Sequence, residues 1–167
     1  MKRVIVLVIL ILIAIGVTTW YYQRPEQPVA ENVTEAVVNF VIDGDTLNIT
    51  YEGQEEELRL IGIDAPERYN EDGSSNENGR IVQDYVKQAF PKDTVIYIEP
   101  GEQQRDKYGR LLGYVYRDKA ATDMFNLELV EMGYAEVLTI GPNDKYEDMF
   151  IRARQKAKQE GAGFWKE

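Results

Sequence analysis

From Val4 to Val17 the sequence carries no polar side chain, and Met1-Lys2-Arg3 supplies a basic start ahead of it. A surface helix of a globular domain needs a polar face, so this stretch reads as an export signal or membrane segment. The globular fold must then be built from the residues beyond it. Counted on through Thr18 and Thr19 to Tyr22, the run is nineteen residues long, close to the roughly 20 that cross a bilayer. Trp20, Tyr21 and Tyr22 would form an interfacial aromatic belt, with Lys2 and Arg3 held inside. Ala14-Ile15-Gly16 offers a small-x-small cleavage site, but the apolar run continues past it. An uncleaved anchor is therefore expected ahead of a cleaved signal peptide. Residues 1–22 are read as signal peptide or transmembrane anchor, 23–34 with their two prolines as a linker, and 35–167 as the folded domain. That domain is expected outside the cytoplasmic membrane, tethered to it or secreted after cleavage.

A domain of about 130 residues buries roughly two-thirds of its unfolded surface, enough for one core. The chain has no cysteine, so no disulfide or thiolate metal site supports it, and no histidine, which removes His bases and the usual zinc sites. Chemistry is left to carboxylates, Arg, Lys, Tyr, hydroxyls and hard metals bound through oxygen. The net charge of −10 argues against binding nucleic acid by bulk attraction. It leaves room for local phosphate binding, because the charge is uneven. Between Glu31 and Glu77 thirteen acidic residues face only Arg59 and Arg68. An acidic basin beside isolated arginines suits a divalent-metal site, although the same composition also describes an ordinary soluble surface.

Strand patterns cover 37–42, 46–51 and 57–63, with a turn at Glu52-Gly53. A helix is predicted over 77–90, with cap chemistry in Gly73-Ser74-Ser75-Asn76 and a stop at Pro91. Further strands span 94–99 and 111–116. Two more helices are predicted, one over 123–132, capped by Thr122 and stopped at Gly133, and one over 144–160. Five short strands with three helices imply an α+β domain built on a small barrel, preceded by the N-terminal hydrophobic helix.

Three clusters can do chemistry: Asp43-Gly44-Asp45-Thr46, the run Arg59 through Glu67 (RLIGIDAPE), and Arg105 through Arg110 (RDKYGR). Singly, each is explained by a turn, a strand exit or a polar hairpin loop. Together they say more. Asp45 and Asp64 each border a strand of one small sheet, and two carboxylates with a carbonyl and waters suit Ca²⁺. Glu67 follows Asp64 across a proline that restricts the backbone. Arg59 precedes Asp64 by five residues, which puts the two on opposite strand faces unless a bulge intervenes, and Gly62 is a place for one. Two arginines beside a metal provide bidentate phosphate clamps.

In this order the three clusters resemble the staphylococcal nuclease (thermonuclease) family, over about Val38 to Trp165. The resemblance implies a five-stranded OB-type barrel with three α-helices. It further implies that Asp45 and Asp64 bind Ca²⁺ through their side chains and Ala65 through its main-chain oxygen, where the family often has Thr. Glu67 would act as general base on the attacking water or orient it, and Arg59 and Arg110 would hold the scissile phosphate and its transition-state charge. Lys107 and Tyr108 would contact substrate. The implied reaction is Ca²⁺-dependent endonucleolytic hydrolysis of DNA or RNA to 3′-phosphate ends. The expected partners are nucleic acid and, if the N-terminal segment is uncleaved, the membrane; the expected state is a monomer. The acidic loop from Tyr69 to Asn78 departs from the family, as do Thr139 and Gly141, which stand about where nucleotide-pocket tyrosines are found. Two other readings exist. One is a noncatalytic nuclease-like domain that binds nucleic acid or protein, although all the motif positions are filled. The other is a Ca²⁺-stabilised oligosaccharide- or lipid-binding barrel, which leaves Arg59 and Arg110 without a role.

Overall fold

The computed structural model describes Ala30 and residues 32–166. The expected signal or anchor segment, and most of the linker, lie outside the described residues. Among those residues no helix is long and apolar enough to cross a membrane.

Apolar residues set between polar ones build β1 (Thr34–Asp43), β2 (Thr46–Tyr51) and β3 (Gln54–Leu60) as an antiparallel meander. After β4 (Gly62–Asp64) and α1 (Glu77–Ala89), β5 (Val95–Arg105) and β6 (Leu111–Tyr116) form a second antiparallel pair. β3 pairs parallel with β6, and β1 antiparallel with β5, which closes a five-stranded barrel in the order β1-β2-β3-β6-β5. Closure leaves the barrel strands no free edge. α2 (Phe125–Glu131), β7 (Glu136–Leu138) and α3 (Glu147–Glu160) complete the order, and β7 pairs with β4 as a small two-stranded ribbon outside the barrel. The predicted α+β barrel with three helices is the observed architecture.

The inward residues Val38, Leu47, Ile49, Leu58, Ile96, Ile98 and Val115 are all fully buried. Each such side chain contributes roughly 1.5–3 kcal/mol when removed from water. α1 seals one end with Val82 and Val86, and Phe90 meets Phe125 edge-on with ring centroids 4.4 Å apart. The α1 start is capped as predicted, with the Asn76 side chain accepting from the backbone of Asn78 and Gly79.

Four local expectations are corrected. The 57–63 run is not one strand, because the chain turns at Ile61 and re-forms as β4. Gly62 has φ of +80°, and a Cβ there would lie 2.2 Å from the Phe150 ring, so both conformation and space demand glycine. Thr122 does not cap α2; the N-cap is Met124, without a side-chain bond, and the Thr122 hydroxyl donates to Asp118. α3 begins at Glu147 rather than Asp144, which lies in the preceding turn. β5 continues through Pro100, at the cost of irregular register with β6 between Pro100 and Arg105.

Buried polar groups lock the region of the turn. Asn126, fully buried, donates from Nδ2 to the Ile61 carbonyl (2.9 Å) and accepts from Val115 N (2.8 Å). Asn143 clamps Gln103 through its backbone N–H and carbonyl, at 2.9 Å each, tying the segment after β7 to β5.

Candidate active site

The turn at Ile61 explains how Arg59 and Asp64 come to the same side. Arg59 Nη1 donates to the carbonyls of Leu60 (2.7 Å) and Ile63 (2.9 Å), on both flanks of the break. Its Nη2 stands 3.1 Å from Asp64 Oδ1 and 3.1 Å from Asp45 Oδ2. The guanidinium is thus planted on backbone oxygens that cannot titrate, and it bridges two carboxylates, one from the β1–β2 turn and one from β4.

Asp45 is buried, whereas the Asp64 side chain is 58% exposed. Asp45 Oδ1 accepts from the Thr46 hydroxyl (3.0 Å) and Oδ2 from Ala65 N (2.8 Å). Burial pushes the Asp45 carboxyl above its ordinary range, and Arg59, Ala65 N and Thr46 offset this only in part. Gly44 lets the turn sit this close, since a Cβ there would meet Ala65 Cβ at 2.7 Å. Glu67 is hydrogen-bonded to Asp43, and that bond, partial burial and the charges of Asp43, Asp45 and Asp64 push it up to about 7. Asp43, which the sequence placed in the Asp-Gly-Asp-Thr cluster without a role of its own, is therefore a partner of Glu67.

Arg110 approaches from the β5–β6 loop. Its Nε and Nη2 both stand 2.8 Å from Asp106 Oδ2, while Asp106 Oδ1 accepts from the backbone N–H of Tyr108 (2.9 Å) and Arg110 (3.0 Å). Burial alone would raise the Asp106 carboxyl; the bonds from Arg110 and Tyr108 more than reverse this and hold it low. Asp106 organises the loop, a role not visible in the sequence. Arg59, Arg110, Asp106, Lys107 and Tyr108 share one cleft of about 440 Å³. Tyr108 is 72% exposed, with Lys107 Nζ 4.9 Å and Arg110 Cζ 5.5 Å from its ring centroid. Leu138 and Ile140 form the apolar side of the cleft; Thr139 and Gly141 do not line it. Glu67 lies outside the lining, and Asp64 and Ala65 face a second, smaller cleft.

The family model described as "Staphylococcal nuclease homologue" matches residues 57–167, about two-thirds of the chain. This chain belongs to the staphylococcal nuclease family. The thermonuclease of Staphylococcus intermedius is 32% identical over 170 residues, covering 99% of this chain and 99% of that protein. The thermonuclease of Staphylococcus hyicus is 33% identical, covering 75% of this chain and 72% of its own length. Endonuclease YhcR of Bacillus subtilis is 35% identical across 87% of this chain, which corresponds to 12% of that much longer protein.

The carboxylate pole suits a hard cation by its donor chemistry. Only oxygen donors are present, and Asp43, Asp45 and Asp64 all add negative charge around Glu67. Among the described residues no three acidic side chains form a ready-made metal cage. Two carboxylates completed by a main-chain oxygen and water remain compatible with that arrangement.

Proposed function

We propose that this chain is a nuclease that hydrolyses phosphodiester bonds of DNA or RNA with Ca²⁺, leaves 3′-phosphate ends, and works outside the cytoplasmic membrane. The observation that carries the reading is the convergence of Arg59 and Arg110 on one cleft, with Arg59 bonded to both Asp45 and Asp64. The relatives named thermonuclease and endonuclease support the nuclease reading. The basic start and apolar run of residues 1–22 support export or anchoring.

Asp45, Asp64 and the Ala65 carbonyl would hold the cation, which when bound supplies positive charge beside the phosphate. Arg59 and Arg110 each offer a planar fork of N–H donors to the non-bridging phosphate oxygens, whose charge grows in the transition state. Glu67 orients the attacking water and accepts its proton as the new O–P bond forms. The P–O5′ bond breaks, and the departing 5′ oxygen takes a proton from solvent. Lys107 and Tyr108 line the cleft beside Arg110 and contact the substrate there.

The test is incubation of the protein with single-stranded DNA, with Ca²⁺ and with EGTA, and identification of the product ends. Cleavage to 3′-phosphates only with Ca²⁺ is expected. Binding without cleavage would favour a noncatalytic domain, and 5′-phosphate products would contradict the assignment of the leaving oxygen.

A further inference from the structure

A second cleft, of about 260 Å³, opens beside Asp64 and Ala65. The β4–β7 ribbon joins it to the first: Gly62, Ile63 and Leu138 line the larger cleft, while Asp64 and Glu136 line the smaller one. Three half-buried rings, Tyr134, Phe164 and Trp165, make up its apolar side. The Tyr134 and Phe164 ring centroids are 5.5 Å apart. Trp165 Nε1 is buried with no hydrogen-bond partner among the described residues, an unusual state for an indole N–H. Lys158 Nζ sits 3.8 Å from the Trp165 ring centroid and is paired with Glu136 at 4.0 Å. Asn78, exposed near the start of α1, brings a side-chain amide to the rim.

The three rings, Lys158 and Asn78 have no part in the reaction derived above, in which Asp64 and Ala65 hold the cation. Exposed faces of aromatic rings are an ordinary means of holding single-stranded nucleic acid, because every base offers a π-face. The position matters as much as the composition. Arg59 lines the larger cleft and its partner Asp64, 3.1 Å away, lines the smaller one, so a strand whose phosphate rests on Arg59 and Arg110 has the second cleft next to it across that ion pair. We propose that the smaller cleft receives the base of the nucleotide across the scissile phosphate from the one held in the larger cleft. This rests on the nuclease reading, and it means that the strand is gripped on both sides of the bond that breaks.

The experiment uses the full chain with Ca²⁺ and short single-stranded DNAs that have one cleavable phosphate. One DNA is intact; the other two lack the base immediately on one side or on the other. Loss of either base should raise KM about fivefold or more, the lower end of what one stacked base contributes. Phe164→Leu should raise KM comparably on the intact strand and on one abasic strand, yet by less than about twofold on the other, which has no base left to lose. The proposal is overturned if only one flanking base affects the wild-type KM, or if Phe164→Leu loses equally on both abasic strands. Should Phe164→Leu not fold, the wild-type comparison still decides, and Asn78→Ala at the exposed rim replaces it. Absence of any cleavage by the wild type would instead defeat the nuclease reading itself.

Discussion

Arg59 and Arg110 face the same cleft but are held in opposite ways. Arg59 is 14% exposed and bonded to two backbone carbonyls and two carboxylates around the turn between β3 and β4. Arg110 is 28% exposed and depends on one carboxylate, Asp106, within its own loop. The first is fixed by the tertiary fold, through Asn126 and the break at Ile61. The second is fixed by local loop chemistry. A site can therefore combine one rigid clamp with one that a single substitution would loosen.

Replacing either arginine should produce the largest effect. Arg110→Lys keeps the charge and loses the fork, and turnover should fall by about 10³-fold or more, as for charged contacts in related phosphoryl chemistry. Arg59→Lys should also lower the melting temperature, because the carbonyls of Leu60 and Ile63 lose their shared donor; Arg110→Lys should not. Equal melting temperatures for the two variants would erase the contrast. Glu67→Gln comes next, with turnover down about 10²–10⁴-fold and nucleotide binding near normal. Turnover and binding measured separately on that variant check the division of labour.

Asp106→Asn tests whether Arg110 is positioned by its loop. Misplacement without loss of the group itself should lower turnover by roughly 10²-fold, with little change in thermal stability. Wild-type turnover in that variant would mean that Arg110 finds its place without Asp106. The smallest effect is expected at Arg105, whose guanidinium is bonded to both Glu56 oxygens (2.7 and 2.9 Å) and to the Gly109 carbonyl (2.8 Å). It has no part in the cleft, so Arg105→Ala should keep most activity and change the melting temperature little, as exposed pairs do.

Much of this arrangement was legible in the sequence, and the omissions have physical reasons. The meander strands were readable because apolar side chains alternate along them, as the buried Ala36 and Val38 do in β1. Asn76 and Gly133 marked helix ends because their chemistry is local. The break at Ile61 was hidden, since the apolar pattern runs straight through a turn that is held by Asn126, sixty-five residues away in the chain. β7 is three residues long, too short for any period, and forms only because β4 is available as a partner. Asp43 and Asp106 looked like turn residues because each directly precedes a turn. Each also bonds a side chain proposed for the site, Glu67 or Arg110, and only the folded chain reveals that contact. Leu138 and Ile140 were passed over for Thr139 and Gly141 because the path of the chain after β7 decides which side chains face the cleft.

The most direct test of the shared clamp is a double-mutant cycle in turnover on single-stranded DNA with Ca²⁺, combining Arg59→Lys and Arg110→Lys. If both arginines act on one phosphate in one transition state, their effects are coupled, and the double variant should be far less impaired than the product of the two single losses. Losses that simply multiply would show that the two arginines act independently, and a clamp formed by both on a single phosphate would be wrong.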